Sequence, residues 1–215
     1  MTLLKMKSHT NEWNAYIGSI WANILRQTEI PKKGTLIEVA PGEVNKIGRG
    51  LENYGFNGMV YLIEPNSQAI QRIKQSYSQS LNAKIIPIQA TLEQSISELP
   101  AKVDAILSNH PLDDMIIGKA LSQKEFQTFF AAHYTNPVEA TIKAWQSLES
   151  SPNLLKRAKE KVLQEWENLF KKTSPNIVII SQYRSYFFKK HKILSPDTNA
   201  YEVLQELKSR YKNLQ

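Results

Sequence analysis

Between Gly34 and Asn66 the spacing of apolar residues switches between two periods. Thr35-Leu36-Ile37-Glu38-Val39-Ala40 is a short β-branched run bounded by Lys32-Lys33 and Pro41-Gly42, which predicts a buried parallel strand ending in a turn. From Glu43 to Tyr54 the apolar positions Val44, Ile47, Leu51 and Tyr54 recur at three and four, the spacing of an amphipathic helix, which Gly55 and Gly58 close. Met59–Ile63 is a second strand, with Glu64 at its C-terminal end and Pro65 stopping the run. Together they form a βαβ unit. Ahead of it, Asn11 to Gln27 keeps helical spacing through Trp13, Tyr16, Ile17, Ile20, Trp21, Ile24 and Leu25. That aromatic stripe either packs on the sheet or brings Trp13 or Tyr16 to the border of a pocket.

The alternation continues beyond Glu64. Asn66 or Ser67 is placed to cap a helix reaching Tyr77, with Ala69, Ile70, Ile73 and Tyr77 on one face. A third strand is expected at Lys84 to Gln89, a short helix at Leu92 to Leu99, a fourth strand at Val103 to Leu107 and a fifth, doubly buried, at Asn176 to Tyr183. Residues 115–172 read instead as about three helices, punctuated at Asn136-Pro137 and Ser151-Pro152. A last helix runs from about Asn199 to Tyr211, with Tyr201, Leu204, Leu207 and Tyr211 as its apolar face. The expected fold class is a three-layer α/β domain over 1–215, with a mainly parallel sheet, helices on both faces and a helical insertion after the fourth strand. Placed directly after the fourth strand's loop, that insertion, about 115–172, is positioned to serve as a lid.

Composition narrows the class. With 215 residues, 41% hydrophobic and 22% charged, the chain can bury a core of its own as one domain. It contains no cysteine, which excludes disulfides and thiolate chemistry. The four histidines, His9, His110, His133 and His191, lack paired ligand spacing, so no metal is expected. No apolar run approaches the roughly 20 residues that span a bilayer, and residues 1–10 lack a signal-peptide core, so the expectation is a cytoplasmic protein without membrane partners. The net charge of +7 is uneven: residues 1–150 hold 14 Lys+Arg against 14 Asp+Glu, and residues 151–215 hold 13 against 6. The basic third is either a solvated surface or a face for phosphates such as those of RNA.

The turn after the first strand suggests a nucleoside site. A glycine lets a ligand approach the backbone, a following helix N-terminus offers N–H groups, and a carboxylate about 20 residues on can accept ribose hydroxyls. Gly42 and Glu64 are 64 − 42 = 22 residues apart. Ala40-Pro41-Gly42-Glu43-Val44-Asn45 has one glycine where G-x-G-x-x-G has three, so NAD is disfavoured.

Glu38-Val39-Ala40-Pro41-Gly42-Glu43-Val44 resembles the first motif of class I S-adenosylmethionine-dependent methyltransferases, a Rossmann-like family. That motif has an acid, an apolar residue and then G-x-G-x-G, often with proline between the first two glycines. Glu38, Pro41 and Gly42 fit; Ala40 and Val44 stand at the first and third glycines. The resemblance runs over roughly Thr35 to Leu112. It implies S-adenosylmethionine as cofactor, with Glu64 on its ribose, Glu38 orienting its methionine end, and Ala40, Pro41 and Gly42 forming the turn beneath it. The acid that usually follows the third strand and receives the adenine amino group is missing. Gln89-Ala90-Thr91 stands there, leaving Gln89, Thr91 or the segment at Ala90 to meet the base.

Beyond the fourth strand, Ser108-Asn109-His110-Pro111-Leu112-Asp113-Asp114 should share a rim with Pro41-Gly42, because ligands of doubly wound sheets bind at the C-terminal strand ends. Asn109-His110-Pro111-Leu112 is similar to the N-P-P-Y loop of amino-group methyltransferases, which implies that Asn109 touches cofactor and target nitrogen. Leu112 replaces the aromatic residue, which argues against a planar base as acceptor. His110 is either a general base oriented by Asp113 or Asp114, or a structural hydrogen-bonder. Asp113 and Asp114 either cap a helix beginning near Met115, pair with a basic face, or contact an amine substrate. His133-Tyr134 in the insertion is a further candidate for substrate contact.

These residues imply an enzyme, a methyltransferase acting on an unidentified, small-molecule acceptor, with RNA as another possible partner through the basic C-terminal third. The alternatives are a non-catalytic nucleoside-, RNA- or protein-binding adaptor on the same scaffold, and use of the same cofactor for another group transfer. Oligomeric state is not legible in the sequence.

Overall fold

The computed structural model describes residues 3–122, 124–126, 128–129 and 137–212. The chain forms two compact units, residues 1–109 with 172–180, and residues 110–171 with 181–215. The first carries most of a five-stranded, all-parallel sheet in the order β3-β2-β1-β4-β5, a Rossmann-like α/β arrangement. Its strands are β1 (Thr35–Val39), β2 (Met59–Ile63), β3 (Lys84–Ile88), β4 (Ala105–Asn109) and β5 (Ile177–Ser181). The sheet grows outward from β1 on one side through β2 and β3, then reverses to β4. That reversal, between β1 and β4, is the topological switch point.

Residue parity explains how β1 packs. Leu36, Ile37, Glu38 and Val39 are exposed by 0, 0, 3 and 2%, so both faces of the central strand are covered. Each such aliphatic side chain contributes about 1.5–3 kcal/mol by leaving water. On one face Leu36, Val60, Leu62, Ala105 and Leu107 share a core with Ile17, Trp21 and Leu25 of α1 (Leu3–Gln27), Ile47 and Leu51 of α2 (Ile47–Tyr54), and Ile70, Ile73 and Tyr77 of α3 (Ser67–Ser80). Glu38 has the parity of Leu36 and therefore points into that same layer. At the other end of the sheet, Pro87 fits β3 because an edge strand needs fewer N–H donors.

Several boundaries differ from the sequence expectation. Helix α2 begins at Ile47 rather than Glu43, because residues 43–46 are spent in turns: Lys46 N–H donates to Val44 O at 2.8 Å, and Arg72 pairs with Glu43 at 2.5 Å. Strand β4 runs Ala105–Asn109 rather than Val103–Leu107. Its polar end resembles a loop in sequence, yet Ser108 Oγ donates to Val39 O at 2.5 Å within the sheet. The short helix expected over Leu92–Leu99 divides into α4 (Leu92–Ser95), opened by a capping box between Thr91 and Gln94, and a 3₁₀ turn over Ile96–Glu98. Strand β5 is half-buried along its length, not doubly buried, as befits an edge. The stripe on α1 is split: Ile17, Trp21 and Leu25 are inside, whereas Trp13, Tyr16 and Ile20 remain exposed.

The second unit is helical, with α5 (Leu112–Ala120), α6 (Pro137–Glu149), α7 (Pro152–Thr173, its last two residues in the first unit), α8 (Tyr186–Lys190) and α9 (Ser195–Lys212). Trp145, Trp166, Leu169, Val203 and Leu207 are among its fully or nearly fully buried residues. Arg210 of α9 bonds Glu160 and Glu167 of α7 at 3.0 and 2.8 Å and Glu206 at 2.9 Å. Of the residues expected on the apolar face of α9, Leu207 is buried and Tyr201 exposed; Pro196, Ala200 and Val203 are the other buried residues of the helix. No helix among the described residues is long and apolar enough to cross a membrane.

Candidate functional site at the strand ends

In the first unit the chain leaves β1 through two left-handed residues, Ala40 at φ +52° and Gly42 at φ +64°. Glycine adopts that conformation freely and alanine at a cost of roughly 1 kcal/mol. A Cβ at Gly42 would meet no protein atom within 4 Å. The backbone at this turn is therefore open to a ligand. Ala40 stays in register with the sheet, its N–H donating to Ile63 O at 2.9 Å.

Glu64 lies at the tip of the neighbouring strand and is 5% exposed. Its Oε2 accepts the Gly42 N–H at 3.1 Å and its Oε1 accepts the Asn66 N–H at 3.0 Å. Burial raises the carboxyl pKa, and these two N–H groups act against that rise. One residue thus ties together the turns that end β1 and β2. Because a carboxylate offers about four acceptor sites and two are used, it retains capacity for a ribose diol.

Glu38 lies deeper. Tyr77 Oη donates to its Oε2, and burial pushes the Glu38 carboxyl up to about 8, with the Tyr77 bond opposing. Tyr77 in turn receives the Gly48 N–H. Gly48 has no room for a side chain, since a Cβ there would lie 2.6 Å from the tyrosine ring. Glu38 is thus engaged with α3, which leaves the Pro41-Gly42 turn, lined by Glu64, as the more accessible part of the motif. Ala90 and exposed Gln89 follow β3, where the Ala90 N–H closes on Ile88 O at 3.1 Å. At the end of β4, Asn109 Oδ1 accepts the indole N–H of Trp21 at 3.1 Å.

In the second unit His110 sits at φ +60°. Its Nδ1 is 3.2 Å from Asp113 Oδ1, its Nε2 is 2.8 Å from Tyr183 O, and its ring centre lies 4.3 Å from that of Tyr183 with the planes tilted by 44°. Desolvation favours the neutral imidazole, but the Asp113 and Tyr183 bonds outweigh it and carry the His110 pKa up to about 9. At neutral pH both nitrogens are therefore donors. In this geometry both ring nitrogens have a partner, Asp113 on one side and the Tyr183 carbonyl on the other, and an imidazolium so held has no lone pair with which to take a proton. Asp113 also receives Gln182 Nε2 at 3.5 Å, and the His110 N–H donates to Ser181 O at 2.8 Å. The capping expectation changes, because α5 starts at Leu112 with Pro111 as N-cap, and Asp113 and Asp114 fall in its first turn. His133 and Tyr134 lie outside the described residues. No cluster of metal-ligating side chains occurs among the described residues.

Sequence reasoning thus brought Ala40, Pro41, Gly42 and Glu64 to one turn and paired His110 with Asp113. It missed Tyr77 and Trp21 as polar partners, having read both as apolar stripe. The parity of Glu38 was the available signal, since a carboxyl aimed into a core needs a donor.

No family model and no curated protein matches the chain. Among solved structures, the chain is similar to a putative caffeoyl-CoA O-methyltransferase from Staphylococcus aureus, at 16% identity over 80% of this chain and 84% of that one, TM-score 0.38. It is also similar to coclaurine N-methyltransferase bound to N-methylheliamine and SAH, at 10% identity over 75% of this chain, TM-score 0.39; the chain spans about a third of that protein, 34%. A third is a putative sarcosine dimethylglycine methyltransferase from Galdieria sulphuraria, at 13% identity over 97% and 83%, TM-score 0.35. Likeness at this level carries no weight for activity.

Proposed function

We propose that the chain binds S-adenosylmethionine at the Ala40 to Gly42 turn and transfers its methyl group to a small-molecule acceptor. The observation that carries this reading is the open left-handed turn at Gly42 held by the buried carboxylate of Glu64. Ligands of such sheets sit outside the C-terminal strand ends at the switch point, and β1 ends in this turn. The donor set suits a ribose: an acceptor with sites to spare beside an unobstructed backbone. Glu64 and the Gly42 backbone would hold the nucleoside, with Gln89 and Ala90 at the base side through neutral contacts only.

When bound, the cofactor supplies an activated methyl group whose transfer depends mainly on positioning and exclusion of water. Asn109, fixed by the indole of Trp21, is the residue proposed to orient the acceptor. His110 and Asp113 are assigned a positioning role on the segment that follows it. Asp114, His133 and Tyr134 remain candidates for substrate contact. Crosslinking of methyl-tritiated S-adenosylmethionine to the intact chain under ultraviolet light tests the reading. Labelling competed by S-adenosylhomocysteine but not by ATP supports it, and labelling that neither ligand competes contradicts it.

A second reading, a nucleoside-binding adaptor without catalysis, is favoured by one pair of facts: Glu38 is locked to Tyr77, and both nitrogens of His110 are occupied. It predicts binding without turnover against any acceptor.

A further inference from the structure

Residues 184–194, within the second unit, turn a cationic surface outward around an apolar anchor. Helix α8 ends in a Schellman closure, with the Lys192 N–H donating to Lys189 O at 3.2 Å and the Ile193 N–H donating to Phe188 O at 2.9 Å. Such a closure brings the third-last helical side chain onto the residue beyond the left-handed position. Those side chains are Phe188 and Ile193, 4% and 8% exposed. With both inside, Tyr186 and Leu194 face solvent at 79% and 68%, and Arg184, Lys189, Lys190 and Lys192 are all exposed.

The charge of this bend is not internally balanced. The carboxylate of Asp197, which touches it, accepts the Ser185 N–H at 3.1 Å; no acidic residue occurs from Arg184 to Pro196, and among the described residues none of the four cations joins an ion pair. Elsewhere in the same unit Lys159, Lys171 and Arg210 all pair with glutamates. Lys192 also holds φ +56°, a conformation that glycine reaches at lower cost. Its side chain therefore adds charge at a position where backbone geometry alone would favour none.

We propose that this bend binds single-stranded nucleic acid, with Arg184, Lys189, Lys190 and Lys192 along the phosphates and Tyr186 stacked on a base. Cations supply affinity by releasing counterions, and an exposed aromatic ring supplies a sequence-tolerant platform for a base that is free of a duplex. An anionic membrane fits less well: a five-residue helix with one exposed aromatic ring, and Leu194 in the bend beyond it, buries little in a bilayer interface. None of these five residues belongs to the Ala40 to Gly42 turn or bears on the reading given to it.

The test is fluorescence anisotropy of the full chain with labelled oligouridine RNA of about 20 nucleotides, DNA of the same length, a duplex, and phosphatidylserine vesicles. Four phosphate contacts predict a log–log salt slope of about −2.8 on single strands, at about −0.7 per contact. The double variant Lys189→Gln, Lys190→Gln should halve that slope. Lys192→Gly should reduce it by about 0.7 while leaving thermal stability equal or higher, which separates lost contact from lost fold. Tyr186→Ala should weaken single-strand binding about tenfold with the slope unchanged. Preference for RNA or for DNA identifies the source of the strand. Absence of binding to both at low salt, slopes unchanged in the lysine variants, equal affinity for the duplex with Tyr186→Ala silent, or binding to vesicles alone would each overturn the proposal.

Discussion

Glu64 accepts the backbone N–H of Gly42 at 3.1 Å, so the residue proposed to meet a ribose is also the one that holds the turn against which the ribose would lie. Substitution here has two separable effects. Glu64→Ala strands the Gly42 and Asn66 N–H groups and should cost about 2 kcal/mol of stability. Glu64→Gln keeps an acceptor oxygen for one of them and should cost less than half as much, while still removing the charge that favours the diol. Chemical denaturation of both variants checks the ranking, and equal losses would count against the bridging role.

Ala40 is the second test of the turn. Its φ of +52° predicts that Ala40→Gly stabilises the protein by about 1 kcal/mol, a rise in melting temperature of about 2–4 °C for a chain of this size. A fall in melting temperature would mean that the side chain, not the backbone, matters at this position.

Glu38 ties stability to pH. Its folded pKa, about 8, lies above the unfolded value of 4.5, so the folded state binds the proton more tightly. Stability from this group is present in full below pH 4.5 and declines as pH rises through 8. Denaturation midpoints measured from pH 5 to 9 should fall for the wild type and stay flatter for Glu38→Gln. An identical pH profile in the two proteins would refute a buried, protonated Glu38.

His110 titrates with the opposite chemistry but the same direction. Its folded pKa, about 9, exceeds the ordinary value of 6.5, so the stability it lends is complete below 6.5 and lost as pH rises through 9. Asp113→Asn removes the carboxylate on Nδ1 and leaves burial opposed only by Tyr183, which should lower the His110 pKa. The imidazole Cε1–H shift in an NMR titration reads this directly; no movement of its midpoint would mean that Asp113 does not hold the imidazolium.

Much of the first unit was legible because a doubly buried parallel strand leaves an uninterrupted apolar run, as in Leu36-Ile37 and Val60 to Ile63. Boundaries failed where polar groups do structural work. Ser108 and Asn109 read as loop because their partners, Val39 O and the Trp21 indole, are 69 and 88 residues away in sequence. The start of α2 was misplaced because Val44 fits a helical period by spacing alone and is 37% exposed in the fold. At the site, the turn and its acid were legible from type and spacing. The Tyr77 partner of Glu38 and the double engagement of His110 were not, since each depends on contacts that local periodicity does not encode.

The most direct test of the central claim is calorimetric titration of S-adenosylmethionine and S-adenosylhomocysteine into the wild type and into Gly42→Ala. A Cβ at Gly42 enters space that no protein atom occupies, so this variant should keep its fold at a cost of about 1 kcal/mol. Micromolar binding of both ligands to the wild type, about −8 kcal/mol, with at least tenfold weaker binding to Gly42→Ala, is the predicted result. No heat with either ligand from folded wild-type protein, or equal affinity in the variant, would contradict a cofactor site at this turn.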